Sequence, residues 1–295
     1  MSYFGGAQSD GRRPGLNPRL IGALLIAVVG IVMYMFNTEE NPVTKEKQHV
    51  AMNVDQEMAL GLQAAPEMAA QMGGAVDPAT DPQARLVEQV GTELIQRSDA
   101  GRSPYAGNFH FHLLDDRKTI NAFALPGGQI FVTRALLDKL ENEAQLAGVL
   151  GHEIGHVINR HAAEHMATGR LGQLLTVAVG VGASDRDDGG RSAQMVAMMV
   201  NNMSQMKFSR SDESESDQYG LTYMADAGYD PSAMLDVMRV LEEASQGNRQ
   251  PEILATHPQP QTRFEEIKAL LAQRYPDGIP QTLTKGRSLR RLGSG

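Results

Sequence analysis

The sequence predicts an α+β fold, mostly helical with one small sheet, preceded by a single apolar N-terminal helix. Three observations carry this. Apolar residues recur at helical spacing through most of residues 54–287. Alternation of period two is confined to short runs between about residues 108 and 133. Residues 20–36, LIGALLIAVVGIVMYMF, carry no charge at all.

Residues 1–19 are rich in glycine, proline and polar residues and read as a cytoplasmic tail. Residues 20–36 sit at the lower limit for a spanning helix, which needs about 17–25 residues. Arg12, Arg13 and Arg19 precede this run and Glu39 and Glu40 follow it. That asymmetry predicts a single-pass protein of the cell membrane, with its N-terminus inside and its main domain outside the cytoplasm. In a cell with two membranes the domain would be periplasmic. A cleavable signal needs a small-x-small site after the apolar run, and MYMFNTEENP offers none.

Residues 37–53 read as a linker, 54–287 as the main domain and 288–295 as a flexible tail. A helical pattern covers Val54 to Met72, and a second begins at Asp81–Pro82. Asn108 to Asp115 alternates as a strand, with His110 and His112 on its polar face. Two short strands, Ala122–Leu125 and Gln129–Thr133, flank a tight turn at Pro126-Gly127-Gly128. One long helix is expected over Asn142–Ala167. Apolar runs at Leu171–Ala183 and Met195–Phe208 suggest a helical hairpin around the polar stretch SDRDDGGRS. Further helices are expected over Ser209–Ala227, from Asp230–Pro231 to Ser245, and over Thr262–Tyr275, followed by a loose basic tail from Pro280.

The chain has 295 residues, a net charge of −8 and no cysteine. The acidity and the lack of a basic cluster argue against a nucleic-acid partner. The lack of cysteine excludes disulfides, thiolate nucleophiles and cysteine-held metals.

The most informative residues are His152-Glu153-Ile154-Gly155-His156, an H-E-x-x-H pattern inside an apolar helix. Residues four apart share one helical face, so the two imidazoles can hold one zinc ion. Glu153 faces the same cleft and can take a proton from the attacking water, whose acidity the metal raises. Buried without a metal, such a polar trio would be expensive. A third ligand is required. His161 and His165 lie close in sequence, but on a continuous helix a residue five positions past His156 points about 140° away. The run FSRSDESESDQYG offers Asp212, Glu213, Glu215 and Asp217 instead. Glu213 and Asp217 share a face, so one can ligate while the other orients an imidazole.

Four stretches, NAFALPGGQIFVTRALL, ENEAQLAGVLGHEIGHVINRH, FSRSDESESDQYGLTYMADAGYDP and THPQPQTR, resemble the HtpX- and BepA-type zinc metallopeptidases. That family also includes the CAAX prenyl endopeptidases. The resemblance covers roughly residues 54–287 and implies a zincin domain of the gluzincin type binding one Zn2+. It implies His152, His156 and Glu213 as ligands, Asp217 as the residue behind them and Glu153 as general base. The Arg210, Glu213, Asp217 spacing fits the family pattern, although Ser216 stands where alanine is usual. The resemblance also implies that an exposed strand edge at Gly128, Gln129, Ile130 and Phe131 pairs with substrate backbone. It further suggests that His257 reaches the zinc as a fourth ligand or latch. Arg210, His257 and Arg263 are unranked candidates for holding the oxyanion.

The expected function is endopeptidase cleavage of misfolded or damaged envelope proteins, with protein or peptide substrates and a membrane tether. The alternatives are a chaperone-like assembly factor whose protease activity is latched or minor, and a zinc hydrolase acting on something other than peptides.

Overall fold

A computed structural model describes residues 18–50, 52–169, 206–246, 251–258 and 260–289. Residues 171–205 of the hairpin expected over 171–208 lie outside these residues, and 206–208 are not helical. Helix α1 spans Pro18–Phe36, and Leu24, Leu25, Val28, Val29, Met33, Met35 and Phe36 on it are exposed. Among the described residues no helix is long and apolar enough to cross a membrane.

The segment expected as a linker is instead an ordered hairpin. Strand β1, Thr38–Glu40, pairs antiparallel with β2, Lys47–His49. Between them Asn41 is buried, and its Oδ1 accepts from the Val43 and Thr44 amides to close the turn. Helix α2, Val54–Gln71, follows with a capping box between Asn53 and Gln56. Helix α3, Pro82–Arg97, begins as expected, with Asp81 accepting from the Gln83 and Ala84 amides and proline at the first turn.

The small sheet comprises β3 (His110–Leu114), β4 (Ala122–Leu125) and β5 (Gln129–Thr133), in the order β3-β5-β4. β3 runs parallel to β5, with Phe111 opposite Ile130, and β4 runs antiparallel, with Phe123 opposite Phe131. β5 is therefore the middle strand, paired on both sides. Gly127 and Gly128 turn the chain between β4 and β5 with positive φ, which glycine adopts without strain. On β3, His112 bonds Gln129 and stacks on Phe131.

After the short helix α4 (Arg134–Leu137) comes α5, Glu143–Ile158, every residue of which is buried. The long helix expected over 142–167 breaks after Ile158. Arg160 adopts φ 59°, and helix resumes over 161–169. Then follow α6 (Arg210–Ala227), α7 (Ala233–Ser245), the short α8 (Ile253–Thr256) and α9 (Pro260–Arg274). α5 packs against α6, α7, α3 and β4, which places it at the centre of the domain.

The C-terminal residues are less loose than expected. Thr284 bridges to Tyr229, Ser288 bridges to Asn142, Arg287 pairs with Glu143, and Leu289 is buried. Residues 290–295 lie outside the described part.

Candidate metal centre

Three elements supply the site. α5, capped by the Asn142 side chain, presents His152, Glu153 and His156. α6, capped by a Ser209–Asp212 box, presents Glu213 and Asp217 towards them. Their close approach depends on small residues: a Cβ on Gly155 would lie 2.8 Å from Ser216 Cα. His257 arrives at the end of α8, its amide bonded to the Ile253 carbonyl at 2.7 Å.

One ligating atom each from His152, His156, Glu213 and His257 lies within 4.8 Å of every other, and all four residues are buried. His152 Nε2 and His156 Nε2 are 3.0 Å apart. They stand 3.6 and 3.5 Å from the two Glu213 carboxylate oxygens. His257 Nδ1 lies 2.9 Å from Glu213 Oε1 and 3.2 Å from His152 Nε2.

The hydrogen-bonding roles show that a cation fits here. His152 Nδ1 lies 2.9 Å from Asp217 Oδ1, so it carries its proton and donates. His156 Nδ1 lies 2.9 Å from His161 Nδ1 and can donate likewise. Both Nε2 atoms then face each other and Glu213 with lone pairs only. Such a convergence of acceptors is repulsive until a positive ion sits between them. The buried oxygens Glu153 Oε1 and Glu213 Oε2 also have no hydrogen-bond partner. Two imidazoles, a carboxylate and a third imidazole suit zinc.

Arg263 organises the charge behind the ligands. Its Nε and Nη2 donate to both Asp217 oxygens at 2.8 and 2.6 Å. Its Nη1 is 2.6 Å from Glu213 Oε2, close enough for an ion pair but not aligned as a hydrogen bond. Burial is the largest influence on Glu213 and Asp217 and would raise both pKa values, yet the Arg263 charge together with the neighbouring histidines and hydrogen bonds outweighs it, and both are lowered, Glu213 well below the usual range. Burial holds His156 well below the ordinary histidine value, which keeps it neutral and able to ligate. For His257 burial acts in the same direction, but Glu213 and Glu153 outweigh it and raise the pKa.

Not every sequence candidate converges here. Arg210 is exposed at the start of α6 and makes no hydrogen bond or ion pair with the cluster. Gly128, Gln129, Ile130 and Phe131 do not form a free edge, because Gln129–Phe131 lie in the middle strand and are buried. The edge strand that packs on α5 is β4. The Thr133 amide bonds the Asn121 carbonyl, so alternation directs the backbone groups of Ala122 and Ala124 away from β5.

Two residues at the site were missed. Phe208 lies tilted across His156, ring centroids 4.0 Å apart, with no motif to mark it. His161 was placed on the far side of an unbroken helix, whereas the turn at Arg160 brings it back against His156. The signal was present in Asn159, a residue that favours helix ends.

Fold and site together define a zincin-like domain whose buried His-Glu cluster suits zinc. The chain belongs to peptidase family M48, which it matches over residues 81–271. It is 30% identical over 254 residues to the beta-barrel assembly-enhancing protease of Escherichia coli K12, covering 83% of this chain and 50% of that one. It is also 30% identical over 264 residues to the mitochondrial metalloendopeptidase OMA1 of Schizosaccharomyces pombe, covering 87% of this chain and 74% of that one. The OMA1 of Arabidopsis thaliana is 33% identical over 165 residues, 55% of this chain and 30% of that one. The chain thus spans about half the length of the beta-barrel assembly-enhancing protease.

Proposed function

We propose that this protein is a zinc-dependent endopeptidase in which His152, His156 and Glu213 hold the metal and Glu153 is the general base. The observation that carries this is the buried convergence of lone pairs from those three ligands beside an unpartnered Glu153 oxygen. Bound there, zinc supplies Lewis acidity, lowering the pKa of the attacking water and polarising the scissile carbonyl. Glu153 takes the proton of that water and passes it to the leaving amine. Asp217 and Arg263 fix the His152 ring and balance the carboxylate charge.

Substrate backbone adds to the outer edge of β4 at Ala122 and Ala124, a grip that depends little on sequence. A small apolar cleft, lined by Val149, Met234, Val237, Met238 and Leu241, lies beside Glu153 and His257. The natural substrates are misfolded or damaged envelope proteins; the Escherichia coli relative is named for enhancing beta-barrel assembly. Attachment is through α1, whose exposed apolar side chains suit lipid, with the domain outside the cytoplasm.

The test is casein cleavage measured beside bound zinc, for wild type and Glu153→Gln. The expected result is about one zinc per chain in both, with cleavage reduced about 10²–10⁴-fold in the variant. Absence of zinc from the wild type would sink the assignment.

A second reading, an assembly factor with latched proteolysis, is favoured by one observation. His257 lies across the site, 2.9 Å from Glu213 and 3.7 Å from Glu153. A Glu153→Gln variant that fully complements a deletion would favour it.

A further inference from the structure

The turn that ends α5 is built by residues far away in sequence. Asn41 Nδ2 donates to the Ile158 carbonyl at 2.9 Å, and Gln48 Nε2 donates to the Asn159 carbonyl at 2.5 Å. The β1–β2 hairpin thereby satisfies helix-end acceptors that would otherwise be buried and unpaired. The next residue, Arg160, adopts φ 59°, a left-handed conformation that is strained for a non-glycine residue. Its guanidinium is fully buried and held on all sides. Nε and Nη2 donate to Glu57 Oε1 at 2.8 and 2.5 Å. Nη1 donates to Glu39 at 3.0 Å, and Nη2 also donates to the Met52 carbonyl at 2.7 Å. Tyr105 donates to the second Glu57 oxygen at 3.1 Å, which completes the network.

The consequence is at the next residue. His161 folds back until its Nδ1 is 2.9 Å from His156 Nδ1. Its Nε2 lies 3.2 Å from Glu215 Oε2, which accepts a hydrogen bond from the protonated Nε2. His161 Nδ1 is then left as the acceptor for His156 Nδ1–H, and His156 Nε2 faces the cluster with its lone pair. His161 and Glu215 thus do for His156 what Asp217 and Arg263 do for His152.

We propose that His161 is a positioning residue for the zinc ligand His156, and that Arg160, clamped by Glu57, Glu39 and the Met52 carbonyl, is the hinge that places it. This rests on the reading of His152, His156 and Glu213 as zinc ligands. Residues 39–57 lie ahead of the part that matches family M48. The segment between α1 and α2 is therefore part of the metal site's scaffold.

The experiment uses the full chain. Zinc dissociation constants are measured by chelator competition, and the cobalt-substituted protein gives a visible spectrum of the metal's surroundings. His161→Ala is expected to weaken zinc binding about 10–100-fold and to shift the cobalt bands. His161→Asn, which keeps an acceptor near the Nδ1 position, should recover most of the affinity, whereas the similarly sized but apolar His161→Leu should not. Glu57→Gln, which takes the charge from the clamp, should move zinc affinity in the same direction as His161→Ala. Affinity within twofold of wild type in His161→Ala, or equal affinities for His161→Asn and His161→Leu, would overturn the role of His161. Unchanged zinc binding in Glu57→Gln would overturn the hinge. A wild type that binds no zinc would instead remove the ligand assignment on which both stand.

Discussion

Asp217 shows how the residue scale governs the site. It is buried, accepts two bonds from Arg263 and orients His152. Asp217→Asn removes the charge that compensates Arg263, so zinc binding should weaken about 10–100-fold. Stability should fall by about 3–5 kcal/mol, as for breaking any buried pair, which denaturant unfolding would show. Burial acts to raise the Asp217 pKa, and Arg263 and His152 together lower it further than burial raises it. A carboxyl whose folded pKa lies below its unfolded value stabilises fully above that unfolded value. The contribution is lost as pH falls through the folded one. Wild-type stability should therefore decline below about pH 4, and more steeply than that of Asp217→Asn. His257 is the second residue with a distinct expectation. If it shields the site, His257→Ala raises peptidase activity on casein; an unchanged or lower rate would remove the latch.

At the scale of elements, the site depends on how closely α5 and α6 approach. Gly151 and Gly155 on α5 face Gly220 and Ser216 on α6, and no side chain larger than serine separates the backbones there. Gly155→Val would force the helices apart, because even its Cβ meets Ser216 Cα at 2.8 Å. Such overpacking costs about 1–3 kcal/mol. Because α6 carries Glu213, zinc affinity should fall along with the unfolding midpoint. A variant with lowered stability and intact zinc affinity would show that the ligands tolerate a wider spacing. Helix positions and caps were legible in the chain itself: Asp81–Pro82, Asn142 and Ser209 mark three starts by local hydrogen bonding alone. Strand order was not. Alternation identifies Gln129–Thr133 as a strand but carries no information about its neighbours, so the middle strand was taken for an edge.

At the scale of the whole molecule, the N-terminal region has two parts with separate expectations. α1 exposes apolar side chains, and the hairpin that follows it closes the end of the active-site helix. Removing residues 1–36 should shift the protein from the membrane fraction to the soluble one while leaving zinc bound, since the hairpin at residues 38–49 remains. Persistence of the truncated chain in washed membranes would place the attachment elsewhere. Loss of zinc in a soluble, folded truncation would show that the coupling reaches back into α1.

The sequence by itself located most of the helix starts among the described residues and the H-E-x-x-H pair, whose Glu153 is the proposed general base. It also reduced the third ligand to one acidic run, because helical spacing and ligand chemistry are local properties. Only the tertiary structure decided that β5 is the middle strand with β4 at the edge, and that Arg263 is committed to Asp217 and Glu213. It alone showed that a buried arginine, clamped by residues about a hundred positions earlier, turns His161 onto His156. Those outcomes follow from which distant groups satisfy each other's buried charges and hydrogen bonds. That pairing exists only once the chain is folded.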